Sequence, residues 1–291
     1  MIKGLILVNA YSAMEEARYQ AERLQEEFAK RGVNAEIKRN DFFPVSVAKD
    51  LSCGLGGYVF CVFLDKDKYV LQGIEKAGIP LFNGYSAIEA CDDKMTTYLT
   101  LAGNGIDMPL TLPGIFCYNK DAEISERSLE KIEALGYPLV VKKSFGSCGT
   151  GVYLVKNREE LKTKNRELLC EPHLYQKFVS SSFGRDVRVI VIGRKVFGAI
   201  LRESDKDFRS NVALGGRVSE YELPEAAKKI CEKVATLLGL DYCGIDLLFG
   251  ESGTFLVCEV NSNAFFGGFE RATKKNVAGA YADYILSALR L

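Results

Sequence analysis

Residues 242–263 read YCGIDLLFGESGTFLVCEVNSN, and the way this stretch folds decides the rest. Residues 242–249 are apolar and β-prone, Gly250-Glu251-Ser252-Gly253 is turn chemistry, and residues 254–260 are apolar again, so the spacing predicts a two-stranded hairpin. If Phe249 pairs with Thr254, Asp246 faces Val257 and Gly244 faces Glu259. Alternation then puts Asp246, Val257, Glu259 and Asn261 on one face. Two carboxylates and a carboxamide are thereby gathered at the end of an apolar hairpin, where unpaired carboxylates would repel and lose hydration. Hard oxygen donors of this kind suit Mg²⁺ with room left for phosphate oxygens and water. The same spacing also reads as a plain strand with one solvated edge.

The chain of 291 residues is long enough for two or three domains. Its 38 basic and 38 acidic residues balance, which leaves no overall field for nucleic acid or an anionic membrane. No run is long enough to span a bilayer, and the apolar start suits a buried first strand rather than a signal peptide. Nine scattered cysteines, no C-x-x-C pair and one histidine argue against zinc and against a disulfide framework. Reduced thiols in a cytoplasmic protein are the expectation.

Working outward, the first ninety residues alternate strands and helices, which implies a small parallel α/β domain. Ser12 and Glu15 form a capping-box pattern before a helix whose apolar face carries Ala17, Ala21, Leu24 and Phe28. Asn9, Tyr11, Asp65 and Lys66 fall at carboxyl ends of strands, where ligands of such sheets collect. Asp92 reads as the cap of a helix beginning at 91–94, which puts Lys94 in the first turn, unfavourable for the helix dipole unless it meets solvent or an anion.

Residues 138–152, PLVVKKSFGSCGTGV, read as strand, glycine-rich loop and strand. Such a loop can fold over phosphates with its N–H groups, and alternation allows only one of Lys142 and Lys143 to look into a cleft. No Gly-Lys-Ser/Thr opens a helix, so this is not a P-loop. Arg185, Arg188, Arg202 and Arg209 cluster around the strands expected at 186–192 and 195–201, and arginine suits bidentate recognition of phosphate or carboxylate. His173 reads as a surface or loop histidine. Helices are expected at 224–238 and 277–289, with a loop at 263–268.

The order of the motifs CDDKMTTYLTLAGNGIDMP, PLVVKKSFGSCGTGV, YQKFVSSSFGRDVRVIVIG, DFRSNVALGG, GIDLL and EVNSNAFFGGFERATKKNVAG resembles the ATP-grasp superfamily, in particular the RimK-like carboxylate–amine ligases, from Cys91 to the C-terminus. The resemblance implies a small N-terminal α/β domain (1–90), a central lobe with the glycine loop (91–175) and a C-terminal lobe with the metal site (176–291), a mixed α/β and α+β fold with ATP between the last two. It implies that Lys94 and Lys142 hold the nucleotide phosphates, and that Ser144, Gly146, Gly149 and Gly151 belong to the mobile loop. Gln176, Lys177 and Phe178 lie at the inter-lobe linker beside the adenine, and Asp186 faces the ribose. Arg209 and Asn211 fall near the γ-phosphate, with Arg202 beside the transferring group, and Asp246, Glu259 and Asn261 are the Mg²⁺ ligands. The family usually has an acidic residue where Lys177 stands and often a proline where Ala264 stands; the roles of Asp65, Lys66, Cys148, Glu270 and Arg271 stay open.

The implied reaction activates a carboxylate as an acylphosphate and couples it to an amine, with ATP and Mg²⁺ (or Mn²⁺) as cofactors. The partners are a small-molecule carboxylate and an amino acid of the glutamate type, or a peptide or protein tail, with neither nucleic acid nor membrane, in a cytoplasmic protein that can form homo-oligomers. A peptide-modifying ligase that cross-links a precursor and a non-catalytic ATP-binding module are the alternatives.

Overall fold

Strand β1 (Ile2–Val8) runs into the interior with Leu5, Ile6 and Leu7 fully buried, which at about 1.5–3 kcal/mol each makes it the natural centre of a sheet. A computed structural model describes residues 2–146, 149–205, 207–210 and 216–291, and in it β1 is flanked by β2 (Val33–Arg39) and β5 (Phe60–Phe63), with the short β6 (Leu81–Phe82) beyond. All four strands are parallel. Helix α1 (Glu15–Lys30) lays Ala21, Leu24 and Phe28 on this sheet. It begins after Met14 without a side-chain cap, so the expected Ser12–Glu15 capping box does not form: Glu15 is the first helical residue rather than the third. A small antiparallel hairpin of β3 (Val45–Val47) and β4 (Leu51–Cys53) precedes β5, and α2 (Lys68–Lys76) and α3 (Tyr85–Asp92) follow it.

The second sheet has the order β7 (Thr111–Pro113), β10 (His173–Lys177), β8 (Leu139–Lys143), β9 (Val152–Val155), all antiparallel. Helices α5 (Glu126–Glu133) and α6 (Arg158–Leu168) cover one face, packing Leu129, Ile132 and Leu161 against Leu139, Val141 and Tyr175. His173, expected in a loop, is a buried strand residue. One ring nitrogen lies 2.7 Å from the Glu171 carbonyl and the other 2.9 Å from the Tyr175 hydroxyl.

The third sheet runs β13 (Arg217–Tyr221), β12 (Lys195–Glu203), β11 (Arg185–Ile192), β14 (Tyr242–Phe249), β15 (Phe255–Asn261), with α7 (Glu225–Leu237) on its back. Helices α8 (Gly267–Thr273) and α9 (Val277–Leu289) close the chain, so residues 267 and 268, expected as loop, begin a helix. The hydrophobic core is continuous from the first domain into this lobe: Ile6, Phe28 and Phe60 share one cluster with Tyr242, Phe266 and Tyr281.

Polar groups fasten the same contact. Asn83 is buried, donates to the Tyr242 and Ser262 carbonyls at 2.8 and 2.7 Å, and accepts from the Asp241 and Tyr242 amides at 2.6 and 2.9 Å. On α1, Glu27 receives Arg23, Lys30 and Arg31, while Arg31 reaches Asp283 of α9. Among the described residues no helix is long and apolar enough to cross a membrane.

Candidate functional site

The second and third sheets face each other across a cleft, and helix α4 (Lys94–Leu101) stands at its end. Asp93, not Asp92, caps α4: its carboxylate accepts from the Met95 and Thr96 amides, while Cys91 and Asp92 finish α3. The Lys94 amide donates to the Ser144 carbonyl at 3.0 Å, and Ser144 is itself held by its N–H on the Pro172 carbonyl, so the helix start is fastened to the end of β8. Lys94 is 8% exposed, with Nζ 2.8 Å from the Gly146 carbonyl and 3.6 Å from Glu259 Oε1. Burial lowers its pKa, Lys142 and Lys66 lower it further, and Glu259 opposes.

Lys142 enters the cleft from β8, with Nζ 3.6 Å from Cys258 Sγ, and Lys143 points out to Glu171 at 2.6 Å. The period of two thus separates the lysines. After β8 the chain turns through Gly146 and Gly149, at φ of 135° and 75°, which glycine adopts without the steric cost a side chain incurs. Gly151, at φ 77°, closes the hairpin by accepting from the Lys143 amide. Arg209 lines the cleft, chelates Asp207 and donates Nη1 to the Gly149 carbonyl at 2.8 Å. Lys94 and Arg209 therefore draw two carbonyls of the glycine loop across the cleft, which has about 110 Å³ of free space as it stands. Asn211 and Cys148 lie outside the described residues.

At the linker, Gln176 is buried and donates to Thr111 Oγ1 at 2.8 Å. The Lys177 amide donates to the Leu110 carbonyl, which leaves that N–H committed within the protein. Phe178 and Val179 line the cleft next. The Val179 N–H has no partner among the described residues, a feature of backbone geometry that residue types do not announce. Phe178 packs edge-to-face on Phe183 and Phe208.

The third sheet carries a row of alternating charge. Asp186 and Arg202 are register partners on β11 and β12, and Nε and Nη2 of Arg202 reach the two Asp186 oxygens at 2.7 and 2.6 Å. Arg188 and Asp246 are register partners on β11 and β14, joined at 2.7 and 2.6 Å, and Arg202 also reaches Asp246 at 2.9 Å. Burial would raise the Asp246 pKa, but Arg188 and Arg202 more than reverse this and lower it, so the carboxylate is held ionised. Arg202, expected beside the transferring group, is 4% exposed and engaged with both aspartates; it sits behind the cleft wall.

The β14–β15 register differs from the sequence expectation. Phe249 pairs with Phe255, Leu247 with Val257, and a bulge at this point sets Asp246 directly opposite Glu259 and Gly244 opposite Asn261. Val257, expected beside the carboxylates, is in the core, while Cys258 and Glu259 both line the cleft. A bulge places two residues opposite one and re-aims the side chains that follow. Tyr98 of α4 donates to the Cys258 carbonyl at 2.5 Å, bracing the bulge from 160 residues away. Gly244 is glycine because a Cβ there would lie 2.6 Å from that of Ala264.

The donor set fits a hard divalent ion. Among the described residues Glu259 has only Lys94 as an ion-pair partner, Asp246 is kept anionic opposite it, and Asn261 Nδ2 is buried without a hydrogen-bond partner. A half-turn of that amide presents oxygen instead. Among the described residues no group of three His, Cys, Asp or Glu side chains forms a metal cluster, so such a site rests on two carboxylates and one amide. Asp65 and Lys66 stand just beyond β5; Lys66 pairs with Asp92 at 3.0 Å. Glu270 accepts from Tyr19 at 2.7 Å and Arg271 pairs with Glu16, so both help to hold α8 against α1.

A profile of the RimK-like ATP-grasp domain matches residues 91–285. Human N-acetylaspartylglutamate synthase A is 39% identical over 227 residues, 77% of this chain. The match spans 57% of that relative's length. Glutamate–LysW ligase from Sulfurisphaera tokodaii is 32% identical over 219 residues, covering 73% of this chain and 74% of the relative. Among solved structures, D-alanine–D-alanine ligase from Bacillus anthracis complexed with ATP superposes with a TM-score of 0.76 at 18% identity, covering 100% of this chain and 97% of the other. ATP-grasp ligase PsnB complexed with a minimal precursor gives 0.74 at 20% identity, covering 99% and 100%. At those identities the likeness is one of fold.

Proposed function

The chain belongs to the RimK-like ATP-grasp family, and on that premise we propose that it is an ATP-dependent carboxylate–amine ligase. It adds a glutamate-type amino acid to a carboxyl-bearing small molecule or protein tail. The observation that carries this reading is the meeting of Lys94, Lys142, Asp246 and Glu259 in one cleft, cations from the central lobe facing carboxylates from the C-terminal lobe.

A carboxylate does not react with an amine at neutral pH, so the reaction needs a phosphoryl leaving group. The substrate carboxylate oxygen displaces ADP from the γ-phosphorus, and the amine then displaces phosphate from the acylphosphate and loses a proton. Lys94 and Lys142 neutralise the phosphates, exchanging the Gly146 carbonyl and the Cys258 sulfur for phosphate oxygens. Arg209 gives up the Gly149 carbonyl to face the transferring phosphoryl, and Arg202 fixes Asp186 and Asp246 from behind. Gln176, Phe178 and Val179 wall the adenine end. Asp246, Glu259 and Asn261 would hold Mg²⁺, or Mn²⁺ in its place, which would supply positive charge to offset the charge developing on the phosphates. The enzyme is cytoplasmic and can form homo-oligomers in this reading.

The test is ADP release with carboxylate and amine supplied separately and together, with the product identified by mass spectrometry. Release and a new amide only when both are present supports the ligase. ADP release indifferent to both substrates, or nucleotide binding without turnover, overturns it.

A further inference from the structure

The face of the second sheet that turns away from the nucleotide cleft is not fully covered. Between α5, α6 and the segment 115–125 lies a cavity of about 500 Å³. Its walls are apolar, built from Leu112, Ile124, Ile132 and Leu169, and at the rim Ile115 is 70% and Phe116 47% exposed. A cavity of this size with a large exposed apolar rim is a common form of ligand site.

Its floor is polar and ordered. Asn165, 4% exposed, donates Nδ2 to the Tyr175 hydroxyl, and that hydroxyl lies 2.9 Å from His173 Nε2. His173 Nδ1 sits 2.7 Å from the Glu171 carbonyl, so it carries the proton, Nε2 accepts from Tyr175, and the chain of donors runs one way. Asn165 Oδ1 is left without a partner among the described residues, in a side chain that lines the cavity.

The mouth is positive. Arg127 and Lys131, one helical turn apart on α5, line the cavity and have no acidic partner among the described residues. Of the acids nearby, Glu126 and Glu133 are matched by Arg158 and Glu123 by Arg166, which leaves Glu130 of α5 against the two cations.

We propose that this cavity is a second ligand site, for a small amphipathic carboxylate whose apolar body fills the space under segment 115–125 and whose anion meets Arg127 and Lys131. The proposal goes beyond the ligase reading and does not depend on it. β10 is a wall of both sites: Tyr175 lines the outer cavity and Gln176, the next residue, lines the nucleotide cleft.

The experiment is isothermal titration calorimetry of the intact chain with octanoate and with octylammonium, which share an apolar body and differ in charge. Octanoate binds with a stoichiometry of one, and octylammonium binds at least tenfold more weakly. Arg127→Glu with Lys131→Glu, at exposed positions that leave the fold intact, weakens octanoate at least tenfold. Ala122→Trp, which fills the cavity, abolishes it, and Lys142→Met, which alters only the nucleotide cleft, leaves it unchanged. Equal binding of the two probes, octanoate binding unchanged by the charge reversal, or its loss in Lys142→Met would overturn the proposal.

Discussion

Two groups of charged side chains around the cleft are held in different ways. On the C-terminal wall, Asp186, Arg202, Asp246 and Arg188 satisfy one another through paired bonds of 2.6–2.9 Å set by strand register. Lys94 and Arg209 instead each hold a neutral carbonyl of the glycine loop, with a single carboxylate beside each, Glu259 for Lys94 and Asp207 for Arg209. A cation bonded to a carbonyl can exchange it for a phosphate oxygen with a gain in charge pairing, whereas a buried guanidinium cannot leave a carboxylate without stranding it. The buried row is therefore preorganised scaffold and the two loop-bound cations are poised to exchange their carbonyls, and substitutions in the two groups should fail differently.

The largest expected effect is on the scaffold wall. Arg202→Met leaves Asp186 without its paired donor and Asp246 with one guanidinium instead of two, in a site where Arg202 is 4% exposed. Breaking such a buried pair costs about 3–5 kcal/mol, read as a lowered urea midpoint. Arg209→Met, which removes one of the exchangeable contacts, leaves the midpoint near that of the parent and lowers turnover. Equal stability losses in the two variants would erase the contrast.

Glu259→Ala comes next. Glu259 is opposite Asp246 in register but is partly exposed and, among the described residues, lacks a guanidinium partner, so its loss spares the fold. ADP release falls by about 10²–10³-fold, the usual cost of removing one electrostatic contact to the reacting groups. Turnover at the parent's rate in Mg²⁺ would remove Glu259 from the site.

The lysine pair sharpens the comparison within one strand. Lys142→Ala raises the Kd for ADP by about tenfold or more, the loss of one buried charge-assisted contact, while Lys143→Ala, whose partner Glu171 is half exposed, leaves it unchanged. Fluorescent-nucleotide displacement on both variants checks the split.

Much of this was legible in the residues. Helix 277–289 matches α9 to the residue, and the alternation of strands and helices located the parallel sheet. The strands that went unread, β3, β4, β7 and β13, have three to five residues, too short for a period of two to register, and the short helices α3 and α8, of eight and seven residues, went unread as well. Lys94, Lys142, Asp246 and Glu259 were singled out because they sit in distinctive local motifs, and the structure brings them to one cleft. Their pairing was not legible, because register across a sheet is a long-range property. The bulge that shifts Glu259 opposite Asp246 leaves no mark on composition, and Arg188 meets Asp246 from 58 residues away. His173 was misplaced because a single polar residue at a strand start looks like loop until its partners, Glu171 and Tyr175, are known.

The smallest effect tests the exchangeable cations through pH. Burial, with Lys142 and Lys66, puts the folded Lys94 pKa below the ordinary lysine value of 10.5, against the opposing pull of Glu259. In the window between the two values the unfolded chain binds more protons than the folded one. The stability of the ligand-free protein therefore rises with pH there. Nucleotide affinity moves the other way, because the ammonium that faces phosphate is lost as pH rises through the lowered folded value. The decline is at most about tenfold per pH unit, since one proton is involved. Two opposite slopes in one window are a signature that scaffold arginines, which do not titrate there, cannot produce. Lys94→Met should flatten both, measured as ADP affinity and as urea midpoint from neutral to alkaline pH. If the slopes persist in Lys94→Met, another group carries them and Lys94 is not the exchangeable cation of the cleft.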